Sequence, residues 1–149
     1  MSDLEQRLKN RTAVIGIVGL GYVGLPLAVA FSQAGFKVLG FDIQQKRVDL
    51  VNKGQPYIAN IASGSLSAVV AKNLLRATAT QSRLKEVDAI CICVPTPLTR
   101  NREPDLSYVT RQSEELSRYL QPGQLVVLES TTYPGTTRQI VLPIWSALG

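Results

Sequence analysis

Between residues 12 and 36 the chain carries no charged side chain, yet this stretch holds five glycines (Gly16, Gly19, Gly21, Gly24 and Gly35) and Pro26. As one helix it would be long enough to cross a bilayer. The glycines divide it instead into a strand, a turn and a helix, each too short to span. Ala13-Val-Ile-Gly-Ile-Val18 is the short continuous apolar run of a strand buried on both faces. A helix is expected over residues 22–34, with Pro26 in its first turn, where a missing N–H costs little, and Gly35 at its end. The sequence Gly19-Leu-Gly-Tyr-Val-Gly24 therefore falls where a buried strand turns into a helix. The residues before it are polar and charged, unlike a signal peptide, so the chain reads as cytoplasmic.

The same alternation continues downstream. Strands are expected at 37–42, 75–80, 89–94 and 125–130, and helices at 44–52, 65–74, 105–119 and 138–148, with a brief helical turn at 81–87. Asp105 is the expected N-cap of its helix. Residues 1–10 read as a polar leader, either a short helix or a frayed tail, and residues 11–149 as one domain. Strands alternating with crossovers long enough to hold helices imply a mostly parallel sheet covered on both faces.

Composition removes several function classes. The chain has no histidine, which excludes the usual zinc sites, a Ser-His-Asp triad and histidine general-base chemistry within it; no metal site is expected. The net charge is +5, but the basic residues are scattered beyond Arg7, Lys9 and Arg11, and no aromatic residues interleave with them as a nucleic-acid platform would require. Cys91 and Cys93 lie in the middle of an apolar strand, where a thiol stays protonated and inert. They are expected to point to opposite faces of that strand and to form no disulfide, as suits a reducing compartment.

The candidate site gathers at the carboxyl ends of the strands. Gly19, Gly21 and Gly24 match G-x-G-x-x-G, a pattern that is weak alone and stronger between a strand and a helix. Gly19 permits the tight turn, Gly21 lets a pyrophosphate approach the backbone, and Gly24 lets the helix press on the sheet. The amides of this loop, including Tyr22 and Val23, and the helix N-terminus would meet the phosphates. Asp42 follows Gly24 by 18 residues and closes the next strand. Its carboxylate can accept from both hydroxyls of an adenosine ribose and would repel a 2′-phosphate, so NAD is expected over NADP; it could also simply cap the next helix. Lys46 and Arg47 stand nearby. Val94, Pro95 and Thr96 after the fourth strand, and Ser130 and Thr131 after the fifth, lie on the same rim and could meet the cofactor's other half, or could simply form turns. The fold class is therefore α/β, a doubly wound, mostly parallel sheet of Rossmann type with about five strands.

Taken together, GLGYVGLPLA at 19–28, GFDI at 40–43, CVPTPL at 93–98, EPDLSY at 103–108 and ESTTYPGTT at 129–137 resemble the NAD-binding domain of the UDP-glucose/GDP-mannose dehydrogenases. The last motif is most similar to the UDP-N-acetylglucosamine 6-dehydrogenase branch, which serves polysaccharide biosynthesis. The resemblance implies oxidation of the C6 alcohol of a UDP-sugar, of the UDP-N-acetylglucosamine or UDP-glucose type, to a carboxylate in two NAD-dependent steps. It implies that Gly19, Gly21 and Gly24 bind pyrophosphate, that Asp42 holds the adenosine ribose with Arg47 nearby, that Thr96 lines the dinucleotide path, and that Thr131 supports the reacting centre.

Two departures accompany the resemblance. Neither cysteine matches the family's nucleophile motif, so the catalytic and UDP-binding domains are expected to lie outside this chain, which alone would be inactive. PYIANI at 56–61 lacks the expected acidic residues, which argues against a substrate-side role for that loop. An excised half would leave the strand at 125–130 as an apolar edge, so self-association or a homodimer is expected. The rival reading is a non-catalytic module that binds or senses NAD(H).

Overall fold

In a computed structural model the described residues are 2–95, 98–103 and 105–129. The expected helix at 138–148 lies outside them. Five strands, β1 (Val14–Val18), β2 (Lys37–Phe41), β3 (Leu75–Thr78), β4 (Ala89–Ile92) and β5 (Leu125–Leu128), form one sheet in the order β3-β2-β1-β4-β5. All four pairings are parallel. The order reverses between β1 and β4, which opens a crevice at the carboxyl ends of those strands.

The strands read as unbroken apolar runs because both faces of the sheet are covered. One face packs Ile15, Ile17, Val38 and Cys91 against α2 (Gly24–Gln33), α3 (Gln45–Asn52) and α4 (Ser65–Ala71) through Leu25, Val29, Val51, Leu66 and Val69. The other packs Val18, Leu39, Phe41, Ile90 and Ile92 against the 3-10 turn at Gln81–Glu86 and α5 (Ser107–Ser117) through Leu84, Val109 and Leu116. Cys91 and Cys93 belong to the same face, which corrects the expectation of opposite faces. Successive side chains alternate along an extended chain, so residues two apart share a side. Both cysteines are buried free thiols.

Of the two alternatives for the polar leader, the structure has the short helix, over Asp3–Lys9. Helix α1 (Asp3–Lys9) starts with a capping box: the Glu5 amide donates to Ser2 Oγ at 3.2 Å, and the Ser2 amide donates to Glu5 Oε2 at 2.8 Å. Asp88 at the start of β4 then ties it down, accepting from Arg7 at 2.6 Å and from the Val14 amide at 2.7 Å.

Other boundaries moved for local reasons. Helix α4 stops at Ala71, before the expected residue 74, because Asn73 takes a left-handed backbone with φ of 58°. That turns Leu74 toward the sheet, where its carbonyl accepts from the Val38 amide at 2.7 Å. Asp105 acts one position earlier than an N-cap: Leu106 holds the cap position, and the Asp105 carboxylate accepts from the Ser107 amide at 3.0 Å. That bond holds the Asp105 carboxyl below its ordinary value.

Candidate functional site

The turn from β1 into α2 is fixed by close backbone approach. Gly19 has φ of 93°, and a side chain there would start 2.7 Å from the Cys93 carbonyl oxygen. A Cβ on Gly24 would lie 1.7 Å from the Gly19 carbonyl oxygen. Neither position admits any residue but glycine. Gly21 differs: the space its Cβ would enter holds only the tip of the Arg47 side chain, at 3.6 Å. The loop is thus packed hard against the sheet at both ends and open in the middle. Helix α2 begins at Gly24, two residues later than expected, with no side-chain cap on Val23 and no acidic residue in its first turn. Within that first turn Pro26 has no N–H and the Leu25 amide donates to the Gly21 carbonyl at 3.1 Å, so what the turn offers a group outside the helix is chiefly the positive end of its dipole. Tyr22 and Val23 are exposed there.

Asp42 follows β2 and is buried at 6% exposure. Its Oδ2 accepts from the Leu20 amide at 3.0 Å and its Oδ1 from the Gln44 amide at 2.8 Å. It therefore both caps the approach to α3 and pins the glycine-rich loop. Two amides occupy only half of the roughly four acceptor positions of a carboxylate. Arg47 Nη1 stands 3.5 Å from Oδ2. The Leu20 side chain is fully buried over Gly40, where any Cβ would meet it at 2.8 Å. Gly40 is thus the residue that lets the loop settle on β2.

Tyr57 is a site residue that sequence reasoning passed over. Its hydroxyl donates to the Leu20 carbonyl at 2.5 Å, and the Arg47 guanidinium lies 5.7 Å from its ring centroid. Asn60 donates to the Tyr22 carbonyl at 3.5 Å. The PYIANI segment therefore braces the glycine-rich loop, and its aromatic residue beside Pro56 was the available signal. Burial first, then the Asp42 carboxylate, pushes the Tyr57 phenol from 10.0 up to about 12, against the opposing pull of Arg47. A raised acid value means that the folded chain holds this proton more tightly. The stabilisation is whole below pH 10 and is lost as pH rises through about 12. Tyr57→Phe is expected to lower the melting temperature by about 3 °C, equivalent to one hydrogen bond of about 1 kcal/mol, and to remove the phenol titrating at about 12 from an absorbance titration at 295 nm.

Gly19, Asp42, Arg47, Val94 and Pro95 line one cavity of about 260 Å³ at the carboxyl ends of β1, β2 and β4. Gly21, Tyr22, Val23 and Gly24 lie in the loop continuing from Gly19. Thr96, Ser130 and Thr131 lie outside the described residues. A larger cavity of about 480 Å³ sits at the opposite end of the sheet, between α1, Asp88 and Gln124. It has neither the glycine-rich backbone nor the switch point, so the smaller cavity is the better candidate. Cys91 and Cys93 lie outside both cavities' linings. Burial pushes the Cys91 thiol up to about 11, helped by Glu129, and the Cys93 thiol to about 12, helped by Cys91 and Glu129. Native chain at pH 8 should leave a thiol-disulfide reagent unconsumed over an hour, with both thiols reacting once denaturant is added; rapid reaction of the native chain would contradict this burial.

A parallel sheet with its order reversing beside a glycine-only turn, and an acidic residue closing the second strand, defines a dinucleotide-binding domain. The sequence model described as UDP-glucose/GDP-mannose dehydrogenase family, NAD binding domain, matches residues 13–148, and the chain belongs to that family. It is 41% identical over 127 residues to the UDP-N-acetyl-D-mannosamine dehydrogenase of Salmonella typhimurium, an alignment covering 85% of this chain and 30% of that protein. The crystal structure of NDP-N-acetyl-D-galactosaminuronic acid dehydrogenase from Methanosarcina mazei superposes with a TM-score of 0.84 at 34% identity, covering 100% of this chain and 34% of that one. The ternary complex of GDP-mannose dehydrogenase from Pseudomonas aeruginosa gives 0.78 at 30% identity, covering 90% and 32%. The chain thus spans about a third of the length of these relatives. Among the described residues no helix is long and apolar enough to cross a membrane.

Proposed function

We propose that this chain is the cofactor-binding part of an NAD-dependent enzyme that oxidises the C6 alcohol of a UDP-linked sugar to the carboxylate. The names of its relatives, several of them dehydrogenases of UDP-N-acetyl-D-mannosamine, support an acetamido sugar as substrate. In this reading residues 11–149 form the NAD domain, and the sugar-binding and nucleophilic groups come from further sequence of the enzyme. NAD supplies the hydride acceptor. The residues of this chain bind and orient it: the loop at 19–24 takes the pyrophosphate, Asp42 and Arg47 the adenosine ribose, and Val94, Pro95, Thr96, Ser130 and Thr131 the path toward the nicotinamide. Thr131 supports the reacting centre.

The observation that carries the reading is the pairing of open space at Gly21 with the Asp42 carboxylate one loop away. A diphosphate can reach the backbone at the first, and a ribose diol can donate to the second. Calorimetry of the chain with NADH and NADPH tests it. NADH is expected to bind at least tenfold tighter, because a 2′-phosphate would be placed against Asp42; tighter NADPH binding would overturn the NAD assignment.

Cytoplasmic location belongs to the same proposal and is supported by the two free buried thiols. So does self-association: β5 is one of the two edge strands among the described residues, and Leu125 on it is 45% exposed. Light scattering at rising concentration checks it, with a strictly monomeric chain the contrary result.

A further inference from the structure

Leu20 in the glycine-rich loop has both of its backbone groups held by side chains from outside the loop. Its amide donates to Asp42 Oδ2 at 3.0 Å, and its carbonyl accepts from the Tyr57 hydroxyl at 2.5 Å. Two residues on, the Tyr22 carbonyl accepts from the Asn60 side-chain amide at 3.5 Å. Tyr57 and Asn60 both belong to the segment between α3 and α4. In a planar trans peptide the C=O and the N–H point in opposite directions. A Leu20 carbonyl turned to Tyr57 therefore turns the Gly21 N–H away from it, and a Tyr22 carbonyl turned to Asn60 does the same to the Val23 N–H. Neither of these two amides donates to any acceptor among the described residues. The first turn of α2 offers little in their place, since Pro26 has no N–H and the Leu25 and Leu27 amides donate to the carbonyls of Gly21 and Val23 at 3.1 and 3.2 Å. Hydrogen bonds to an anion at this turn thus fall to loop amides, whose direction is set by their peptide planes.

We propose that Tyr57, together with Asn60, is a positioning residue for the cofactor diphosphate: its hydroxyl fixes the plane of the Leu20–Gly21 peptide and so aims the Gly21 N–H before the dinucleotide arrives. This rests on the reading that the loop at 19–24 takes the diphosphate. A peptide followed by glycine turns over at little steric cost, because glycine accepts either sign of φ. Asp42 holds the peptide before Leu20 and leaves the one after it to Tyr57. Released from Tyr57, that peptide would populate both senses, and only one of them would offer its N–H to a phosphate oxygen. Apparent affinity then falls by the fraction of chains in the competent sense. Tyr57 acts through the peptide and needs no contact with the cofactor. Its ring has a separate task, since the Arg47 guanidinium lies 5.7 Å from the centroid. Phenylalanine keeps that face and removes only the hydroxyl.

The test compares the whole native chain with Tyr57→Phe, by calorimetry with NADH and by amide NMR spectra of isotope-labelled chain. Tyr57→Phe is expected to bind NADH about fivefold more weakly, the effect of one hydrogen bond, with circular dichroism reporting the fold. Gln124→Ala is the control for lost stability. It removes two hydrogen bonds, to the Leu84 and Val87 carbonyls, at the opposite end of the sheet, and should bind NADH as the native chain does. At saturation the Gly21 amide proton should move downfield in the native chain, as a bond to a charged oxygen requires, and less far in Tyr57→Phe. Native affinity in Tyr57→Phe overturns the positioning role and leaves the dinucleotide reading standing. An equal loss in Gln124→Ala, or an equal movement of the Gly21 proton in both chains, also overturns it and reduces Tyr57 to a stabilising contact. Absence of NADH binding by the native chain overturns both readings. If Tyr57→Phe does not fold, Asn60→Ala decides in its place, because it frees the neighbouring peptide and leaves the ring alone: binding weakened about twofold, as suits its longer bond, supports the proposal, and native affinity removes it.

Discussion

Alanine at Gly24 is expected to lower stability by about 3 kcal/mol or more and the melting temperature by on the order of 10 °C, while alanine at Gly21 leaves melting within about 1 °C and weakens NAD at least tenfold. The two positions lie three residues apart in one loop and separate packing from binding. At Gly24 the new methyl would sit 1.7 Å from the Gly19 carbonyl oxygen, a backbone atom held by the turn and unable to swing aside. Either α2 lifts from the sheet or the turn opens, and both disturb the buried contacts of Leu25 and Ala28. At Gly21 the methyl meets only the tip of Arg47 at 3.6 Å, and the backbone there is not left-handed. Folding tolerates it. A diphosphate approaching the same space does not. Thermal denaturation and calorimetry on the two variants check both halves. A Gly21→Ala chain that binds NAD like the parent would remove the pyrophosphate from this loop.

Asp42→Ala is expected to weaken NAD by about 100-fold and to cost about 2 kcal/mol of stability. The affinity loss follows from removing a charged acceptor for two ribose hydroxyls. The stability loss has a separate origin, since the amides of Leu20 and Gln44 both donate to this carboxylate at 3.0 and 2.8 Å and would be left unpaired. Asp42→Asn separates the two effects. It keeps one amide acceptor and the shape of the side chain, so most stability returns, while the charge that disfavours a 2′-phosphate is gone and the NADH-over-NADPH preference narrows. Unchanged NAD affinity in a folded Asp42→Ala chain would reduce the residue to a loop anchor.

Asp42 also shows where sequence reasoning stops. Its position in the sequence fits a ribose acceptor and a helix cap equally; in the fold one carboxylate braces two loops and keeps lone pairs to spare. The apolar neighbours of Cys91 and Cys93 already mark both as buried thiols, and burial raises both in the fold. The two-residue period of a strand puts them on one face, as the fold has them, and not on opposite faces. Leu66, Val69, Val70 and Leu74 keep helical spacing, which predicts a longer α4 than the fold has; the left-handed turn at Asn73 hands Leu74 to the sheet ladder.

The sequence by itself determined the strand-turn-helix at residues 13–34, the parallel sheet and the family, because these rest on apolar periodicity and on glycines at fixed short spacing, which are local properties. Only the tertiary structure decided that Tyr57 lies beside Asp42 and that Gln81 and Gln112 line the same cavity as that carboxylate. They come from a loop, a 3-10 turn and a helix far apart in the chain, and parallel crossovers bring all of them to the same end of the sheet. What each does there depends on distances that no spacing along the chain encodes.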